Sequence, residues 1–315
     1  MLTDSGLSVI DVAMASGFGS LRRFNDLFQK QYHLSSSGFR KQAKAGKYKC
    51  NSITVALGYQ PPYEWNRILR FLSLRAISGV EVVSNGSYNR TVCMNGKDGK
   101  ELFGWFSVSN CPEKNVLSVT LSDSLLPVLP QVLGRIRNLF DLYCEPLAFS
   151  ERLTGQGNIV PGDFVCGLRV PGCFDSLELC VRAILGQQIT VKAAGTLAGK
   201  MASALGVPIK TSIDGLCFTF PIVKDILCLQ GEIEDHLGPL GIIATRSGAV
   251  KALAVMINTG EIDFSLCNAP ESTMKKLTEI PGIGIWTATY IAMRALGYTD
   301  AFPETDLGIR KALGK

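Results

Sequence analysis

Apolar positions follow two different periods along this 315-residue chain, and the change from one to the other divides it. Over 9–15 and 21–32 they recur at helical spacing, with Ser16-Gly17-Phe18-Gly19-Ser20 as the intervening turn and Ser20 as N-cap of the second segment. A helix, a tight glycine turn and a basic helix are the layout of a helix-turn-helix. Residues 41–49 are basic and lack apolar period, which marks a linker. Helical spacing returns at 62–74. Alternation then replaces it around 88–94, 102–108 and 116–121, with turns at Asn95-Gly96-Lys97-Asp98-Gly99 and Asn110-Cys111-Pro112-Glu113-Lys114, so short antiparallel strands are predicted. A helix at about 129–142 closes that unit. From about residue 146 strand signals vanish, and amphipathic helices are predicted at 174–187, 189–204, 222–228, 244–258, 270–277 and 285–296, with a last one opening near Asp306. The expected fold class is α+β multidomain: a helix-turn-helix at 1–45, an α+β domain with an antiparallel sheet at 50–145, and an all-α domain at 146–315.

Composition changes this picture little. With 46% hydrophobic and 19% charged residues, the chain can bury large cores. No apolar run approaches the roughly 18 residues of a membrane span. The start, Met1-Leu2-Thr3-Asp4-Ser5-Gly6, has neither a basic n-region nor an apolar h-region, so a cytoplasmic protein is expected. None of the ten cysteines forms a CxxC pair, so neither a zinc knuckle nor a disulfide framework is indicated, and reduced, mostly buried thiols are expected. The two histidines, His33 and His236, lie far apart, and no metal or other cofactor is expected.

Charge is more telling in its distribution than in its sum of +5. Residues 1–49 hold eight Lys/Arg against three Asp/Glu, and the remainder balances at twenty-four against twenty-four. The whole excess sits in the N-terminal segment, where it favours a polyanion such as DNA. Any nucleic-acid contact made by the rest must rely on local features.

The most informative local feature is Ile280-Pro281-Gly282-Ile283-Gly284-Ile285-Trp286-Thr287-Ala288. Two glycines separated by one apolar residue make a tight hairpin between helices and leave backbone N–H groups uncovered at the start of the second helix. That is an anion site suited to a DNA phosphate without reading sequence. Asp306 follows 24 residues after Gly282 at the start of another helix, with Arg310 four residues later. From the residues alone Asp306 is a helix N-cap or a catalytic carboxylate, and the choice stays open.

Two resemblances extend this reading. The run DVAMASGFGSLRRFNDLFQKQYHLSSSGFRK resembles the second helix-turn-helix of the AraC family, which implies DNA contacts from Ser20, Arg22 and Arg23. The hairpin, the 24-residue spacing and Asp306 resemble the helix-hairpin-helix glycosylase superfamily, in which that Asp is the catalytic carboxylate. Gln60-Pro61-Pro62-Tyr63-Glu64-Trp65, Phe71, Arg75-Ala76, Val170-Pro171-Gly172-Cys173-Phe174-Asp175 and Val181-Arg182-Ala183-Ile184-Leu185-Gly186-Gln187-Gln188 are similar to the AlkA 3-methyladenine glycosylases in order and spacing. Together the two segments resemble Ada–AlkA fusion proteins.

The AlkA resemblance implies several roles. Trp286, Tyr290 and Phe71 would line a pocket that stacks on alkylated bases, with core packing as the alternative for Tyr290 and Phe71. Gly282, Gly284, Thr287, Gln187 and Arg310 would contact DNA, and Gln188 would fill the gap left by a flipped base. Related enzymes that also cut the strand carry a Lys where this chain has Trp286, so a monofunctional glycosylase is expected. The implied function is excision of alkylated purines, of the 3-methyladenine and 7-methylguanine class, from double-stranded DNA by a monomer. Operator DNA would be a further partner. The AlkA-type domain is expected to stop about one helix pair short of its usual end. The alternative function is a DNA-binding regulator of the alkylation response whose glycosylase domain is inactive.

Overall fold

The structure, a computed structural model, describes residues 8–15, 18–32, 35–38, 52–96, 99–155, 165–265, 269–312 and 314. The start at 1–6, Ser16, Gly17, His33, the linker at 41–49, Cys50, Lys97, Asp98 and Cys267 lie outside the described residues. The chain divides into two compact units. One comprises Met1–Leu69, Val83–Arg137 and Leu142–Leu168; the other comprises Arg70–Val82, Asn138–Asp141 and Arg169–Lys315.

In the first unit, α1 (Val9–Ala15) and α2 (Leu21–Tyr32) share a small apolar core of Val12, Ala13 and Phe24. Phe18 meets Phe24 edge-on, with ring centroids 5.2 Å apart. The Ser20 hydroxyl accepts from the Arg23 N–H at 3.3 Å, the capping bond expected of it. The sheet is built from β1 (Ser52–Gly58), β2 (Glu81–Ser84), β3 (Ser87–Asn95), β4 (Glu101–Cys111) and β5 (Val116–Ser122), with α3 (Trp65–Ser73) following β1 in the chain. Its order is β1-β5-β4-β3-β2, and the β1–β5, β5–β4 and β4–β3 pairs are antiparallel.

Register explains why this sheet is well specified. Val55 faces Val119, Val119 faces Val108, and Val108 faces Tyr88, so one row across four strands is wholly buried. A one-residue slip in any strand would turn that row to the opposite face. The strands expected at 88–94, 102–108 and 116–121 are β3, β4 and β5 with slightly longer ends. β1 and β2 were not expected. The second turn also differs: Asn110 and Cys111 end β4, Pro112–Lys114 form a 3-10 turn, and Asn115 takes the left-handed φ of 50° that closes it. A further 3-10 turn, Asp123–Val128, packs on β4 and leads into α4 (Leu129–Leu139), followed by α5 (Pro146–Gly155).

The second unit is helical: α6 (Ser176–Leu185), α7 (Val191–Leu205), α8 (Val223–Leu227), α9 (Ile233–Leu237), α10 (Ala244–Asn258), α11 (Pro270–Glu279), α12 (Ile285–Ala295) and α13 (Leu307–Ala312). Its core gathers Ile184, Met201, Val250, Leu253, Leu277 and Ile291, and the segment 70–82 adds Ile77 and Val80. Asp175 and Thr190 cap α6 and α7 by accepting from the N–H groups of Glu178 and Ala193, at 2.9 and 3.2 Å. Helices were expected near each of these except α9, and α5 in the first unit was also missed. Among the described residues no helix is long and apolar enough to cross a membrane.

The cysteines correct one expectation. Cys173 and Cys180 are buried, but Cys93, Cys111, Cys144 and Cys166 are half-buried, and Cys217 and Cys228 are exposed. The exposed pair sits in connections between helices, where the chain runs over the surface. Burial pushes the Cys173 thiol up to about 12, so it stays protonated at neutral pH.

Phe106 is fully buried opposite Leu121 and tilts against Tyr88 at 6.1 Å. Replacing Phe106 with Ala is expected to cost about 3–5 kcal/mol. Urea denaturation followed by far-ultraviolet circular dichroism would measure this as an earlier unfolding transition.

Candidate active site

The hairpin forms because three apolar side chains pull the turn inward while the glycines let it bend. Leu277, Ile280 and Ile283 are buried. Gly282 adopts φ of +91°, a backbone conformation that a residue with a Cβ resists. Gly284 then opens α12 without any side-chain cap, and Ile285 behind it is exposed. The first-turn N–H groups of α12 thus begin at a bare backbone position.

The turn between α6 and α7 fastens this hairpin. Gln187 donates its amide to the Gly282 carbonyl at 2.7 Å and to the Thr287 hydroxyl at 3.2 Å, and its own carbonyl accepts from Arg246. Thr287 is buried. Gln187 and Thr287 are therefore brought together with Gly282, with their side chains spent on one another. Gln188 is different: it is exposed and holds a left-handed φ of 57°. For a residue other than glycine this conformation costs about 1–2 kcal/mol.

Trp286 and Tyr290, one helical turn apart on α12, stack with ring centroids 5.4 Å apart and planes within 6°. Both are half-buried. Arg294, one turn further on, is buried; its Nε and Nη2 donate to the carbonyls of Pro171 and Gly172 at 2.7 and 2.8 Å, and its Nη1 donates to the Tyr290 oxygen at 2.7 Å. The same guanidinium stands 4.9 Å from the centre of the Phe71 ring, and that of Arg75 stands 3.9 Å from it. Phe71, Tyr290 and Trp286 thus form one aromatic cluster joined by Arg294. Gly172 is required where it stands, because a Cβ there would lie 2.5 Å from the Asn138 carbonyl oxygen.

Behind the cluster, Arg182 ties the Phe71 segment to α6. It pairs with Glu81 at 3.1 Å and with Glu178 at 3.6 Å, and donates to the Arg75 carbonyl, while Glu81 accepts from the Ile77 N–H at 3.0 Å. Burial lowers the Arg75 pKa from its ordinary value; Tyr290 opposes this, and Arg294 and Arg182 add to it. Burial pushes the Tyr290 phenol up, but the charge and hydrogen bond of Arg294, with Arg182 and Arg75, outweigh it and leave the pKa below the usual tyrosine range.

Asp306 caps α13. Its Oδ1 accepts from the N–H groups of Gly308 at 2.8 Å and Ile309 at 3.1 Å, so the capping alternative is realised. Its Oδ2 has no hydrogen-bond partner among the described residues. The carboxylate is half-buried, and Arg310 is exposed with its Nε 3.4 Å from the Glu304 carbonyl. The approach to Asp306 is anchored upstream, where Ala301 packs with Ala292 of α12 and with Leu296, the residue that follows it. In the first unit, Arg22 and Arg23 are exposed on α2. Among the described residues no three His, Cys, Asp or Glu side chains gather as metal ligands.

Reading the sequence missed Arg294 and gave Arg75 no role. The available signal was a lone charge on a helix with no other, four residues after Tyr290 and eight after Trp286. The first unit also carries a cleft of about 530 Å³ lined by Tyr63, Glu64, Asn66, Asn85 and Asn110 among others, and none of the expected site residues borders it.

The family model for the AlkA N-terminal domain matches residues 54–175. Over 257 residues the chain is 34% identical to DNA-3-methyladenine glycosylase 2 of Escherichia coli (strain K12), covering 81% of this chain and 85% of that protein. Over 321 residues it is 30% identical to the probable bifunctional transcriptional activator/DNA repair enzyme AlkA of Mycobacterium tuberculosis, where all of this chain spans 62% of the relative's length. Among solved structures, the 3-methyladenine DNA-glycosylase from Archaeoglobus fulgidus superposes with a TM-score of 0.66 at 21% identity, over 82% of this chain and 85% of that one. The Clostridium acetobutylicum 8-oxoguanine glycosylase/lyase, solved with double-stranded DNA, gives 0.51 at 14% identity, over 75% and 85%. At these identities the structures establish a shared fold.

Because Gly282 sits at φ of +91°, Gly282→Ala is expected to destabilise the helical unit by at least about 1 kcal/mol. Thermal unfolding would show it, and Gly134→Ala, on α4 with open space at its Cβ and no positive φ, should show no comparable loss.

Proposed function

The chain belongs to the AlkA family of DNA-3-methyladenine glycosylases, and from that premise we propose that it hydrolyses the N-glycosidic bond of alkylated purines in double-stranded DNA. The observation that carries this reading is the parallel stack of Trp286 and Tyr290 on the helix that opens at the uncapped hairpin. Alkylation at a ring nitrogen makes a purine cationic and electron-poor, and such a base gains from electron-rich rings. Reaching the pocket requires the base to leave the duplex stack.

Each expected residue then has a part. Gly282, Gly284 and the first-turn N–H of Thr287 cradle a phosphate through the main chain, and Gln187 supports them by holding the turn rigid. Gln188, exposed at its left-handed turn, occupies the gap left by the flipped base. Arg310 adds a phosphate contact. Asp306 uses Oδ1 to hold α13 and presents Oδ2 to the sugar, where positive charge builds as the bond to the base breaks. Water completes the hydrolysis, and the chemistry calls on no cofactor. With Trp286 in the position of the lyase Lys, no covalent sugar adduct forms.

The domain organisation proposed is 1–45, 50–145 and 146–315. The first of these acts as a helix-turn-helix that grips DNA through Arg22 and Arg23 beside the Ser20 cap. The name of the Mycobacterium tuberculosis relative, a transcriptional activator joined to a repair enzyme, supports operator DNA as its target.

Asp306→Asn retains the cap, because Asn caps a helix about as well as Asp, but removes the charge. Release of methylated purines should fall at least about a hundredfold, or about 2.7 kcal/mol in the barrier, with binding to an abasic-site duplex and thermal stability nearly unchanged. Borohydride should trap no enzyme–DNA adduct with either form. A folded wild type that releases no methylated purine would sink the enzyme reading. Replacing Arg22 and Arg23 with Ala should flatten the salt dependence of DNA binding by about 0.9 in log–log slope per lost phosphate contact; an unchanged slope would remove α2 from the interface.

A further inference from the structure

The hydroxyl of Tyr290 is surrounded in an unusual way. The charged groups that act on it are Arg294 from its own helix, Arg182 from α6 and Arg75 from the segment after α3, and all three are cations. Its oxygen accepts from Arg294 at 2.7 Å, and among the described residues no acceptor takes its proton. A hydroxyl carries one donor besides its lone pairs, and here the protein supplies that oxygen with a donor while leaving its own O–H to a group from outside. None of the three guanidiniums can accept that proton, since each is a donor only.

The ring is also fixed in place. Arg294 is held at two further points, the carbonyls of Pro171 and Gly172, so the oxygen it grips is tied to the backbone. Trp286 braces the ring face to face. Stacking alone requires none of this, because a Phe at 290 would stack as well.

We propose that Tyr290 is a dedicated hydrogen-bond donor to the extracted base, kept in that role by the positioning residues Arg294 and Arg75, and that it favours purines presenting a lone pair at their C6 substituent. This rests on the glycosylase reading and deepens it. A purine with a carbonyl at C6, as in 7-methylguanine, accepts the O–H. A purine with an amino group there, as in 3-methyladenine, turns N–H toward a donor and a cluster of cations. The lowered phenol pKa agrees, because a more acidic O–H is a stronger donor.

DNA treated with dimethyl sulfate carries both bases, so one reaction resolved by chromatography reads both release rates. In Tyr290→Phe, release of 7-methylguanine relative to 3-methyladenine should fall about tenfold against the wild type. Arg294→Met should lower the same ratio, and Arg294→Lys, which keeps a charge and a donor, should restore part of it. In the near-ultraviolet titration, the phenolate signal that Tyr290→Phe abolishes should appear at higher pH in Arg294→Met than in the wild type, which a purely structural role for Arg294 would not produce. Should the Arg294 variants fail to fold, Tyr290→Phe decides by itself, since it removes a single oxygen. A wild type that releases both bases, with an unchanged ratio in Tyr290→Phe, overturns this inference and leaves the glycosylase reading standing. A wild type that releases neither overturns both.

Discussion

The site depends on one buried cation. Arg294 sits at 6% exposure as the one charged side chain of α12, and taking a guanidinium out of water costs several kcal/mol unless its donors are met. Here they are met by two carbonyls and a phenol, all within 2.8 Å, and charge-assisted bonds of this length are roughly twice as strong as neutral ones. The geometry fixes more than the arginine. Pro171 and Gly172 lead into Asp175 and α6, while the phenol sets the aromatic stack. The Gly172 backbone approaches Asn138 so closely that a side chain would not fit, and Asn138 in turn donates to the Cys173 carbonyl at 3.2 Å. Entry to α6, the Tyr290 ring and the Phe71 ring therefore share one anchor.

A second constraint acts at the opposite end of α12. There the structural work is done by an amide: Gln187 reads the carbonyl of Gly282 and the hydroxyl of Thr287, both backbone-near groups of the hairpin. Because Gln187 follows α6 directly, the same helix that begins at the Arg294 anchor ends at the hairpin pin. α6 and α12 are thus tied at both ends, which leaves Gln188 and the backbone at the Gly284 start of α12 uncommitted beside the hairpin pin. Positive φ at both Gly282 and Gln188 belongs to this arrangement, since each turn must reverse sharply to let the pin reach across.

Legibility in the sequence followed the strength of local pattern. α10 was predicted over its observed span, 244–258, because its apolar spacing runs for four turns between clear stops. β3, β4 and β5 were legible because their alternation is bounded by Asn/Gly and Pro turns. β2 has four residues, too few for alternation to declare itself, and β1 carries small Ala56 inside its alternation. At the site, Asp306 and the hairpin were visible through spacing and residue type. Arg294 was not, since a single charge on an apolar helix looks the same whether it reaches solvent or a buried carbonyl. Only the three-dimensional position of Pro171 and Gly172, more than a hundred residues earlier in the chain, distinguishes the two.

The charge distribution explains why the helical unit is built this way. Its neighbourhood carries no surplus of basic residues, as the chain beyond residue 49 is balanced in charge. A surface that met DNA by net charge would bind any duplex and lose grip steeply with salt. Main-chain N–H groups at a helix start offer partial charges fixed in direction, and they need a rigid turn to keep that direction. The buried Arg294 is likewise committed inward, to two carbonyls and the Tyr290 phenol, instead of reaching the surface. On the proposed reading, rigidity at Gln187 and Arg294 would substitute for charge, with local geometry rather than long-range attraction deciding what this unit holds.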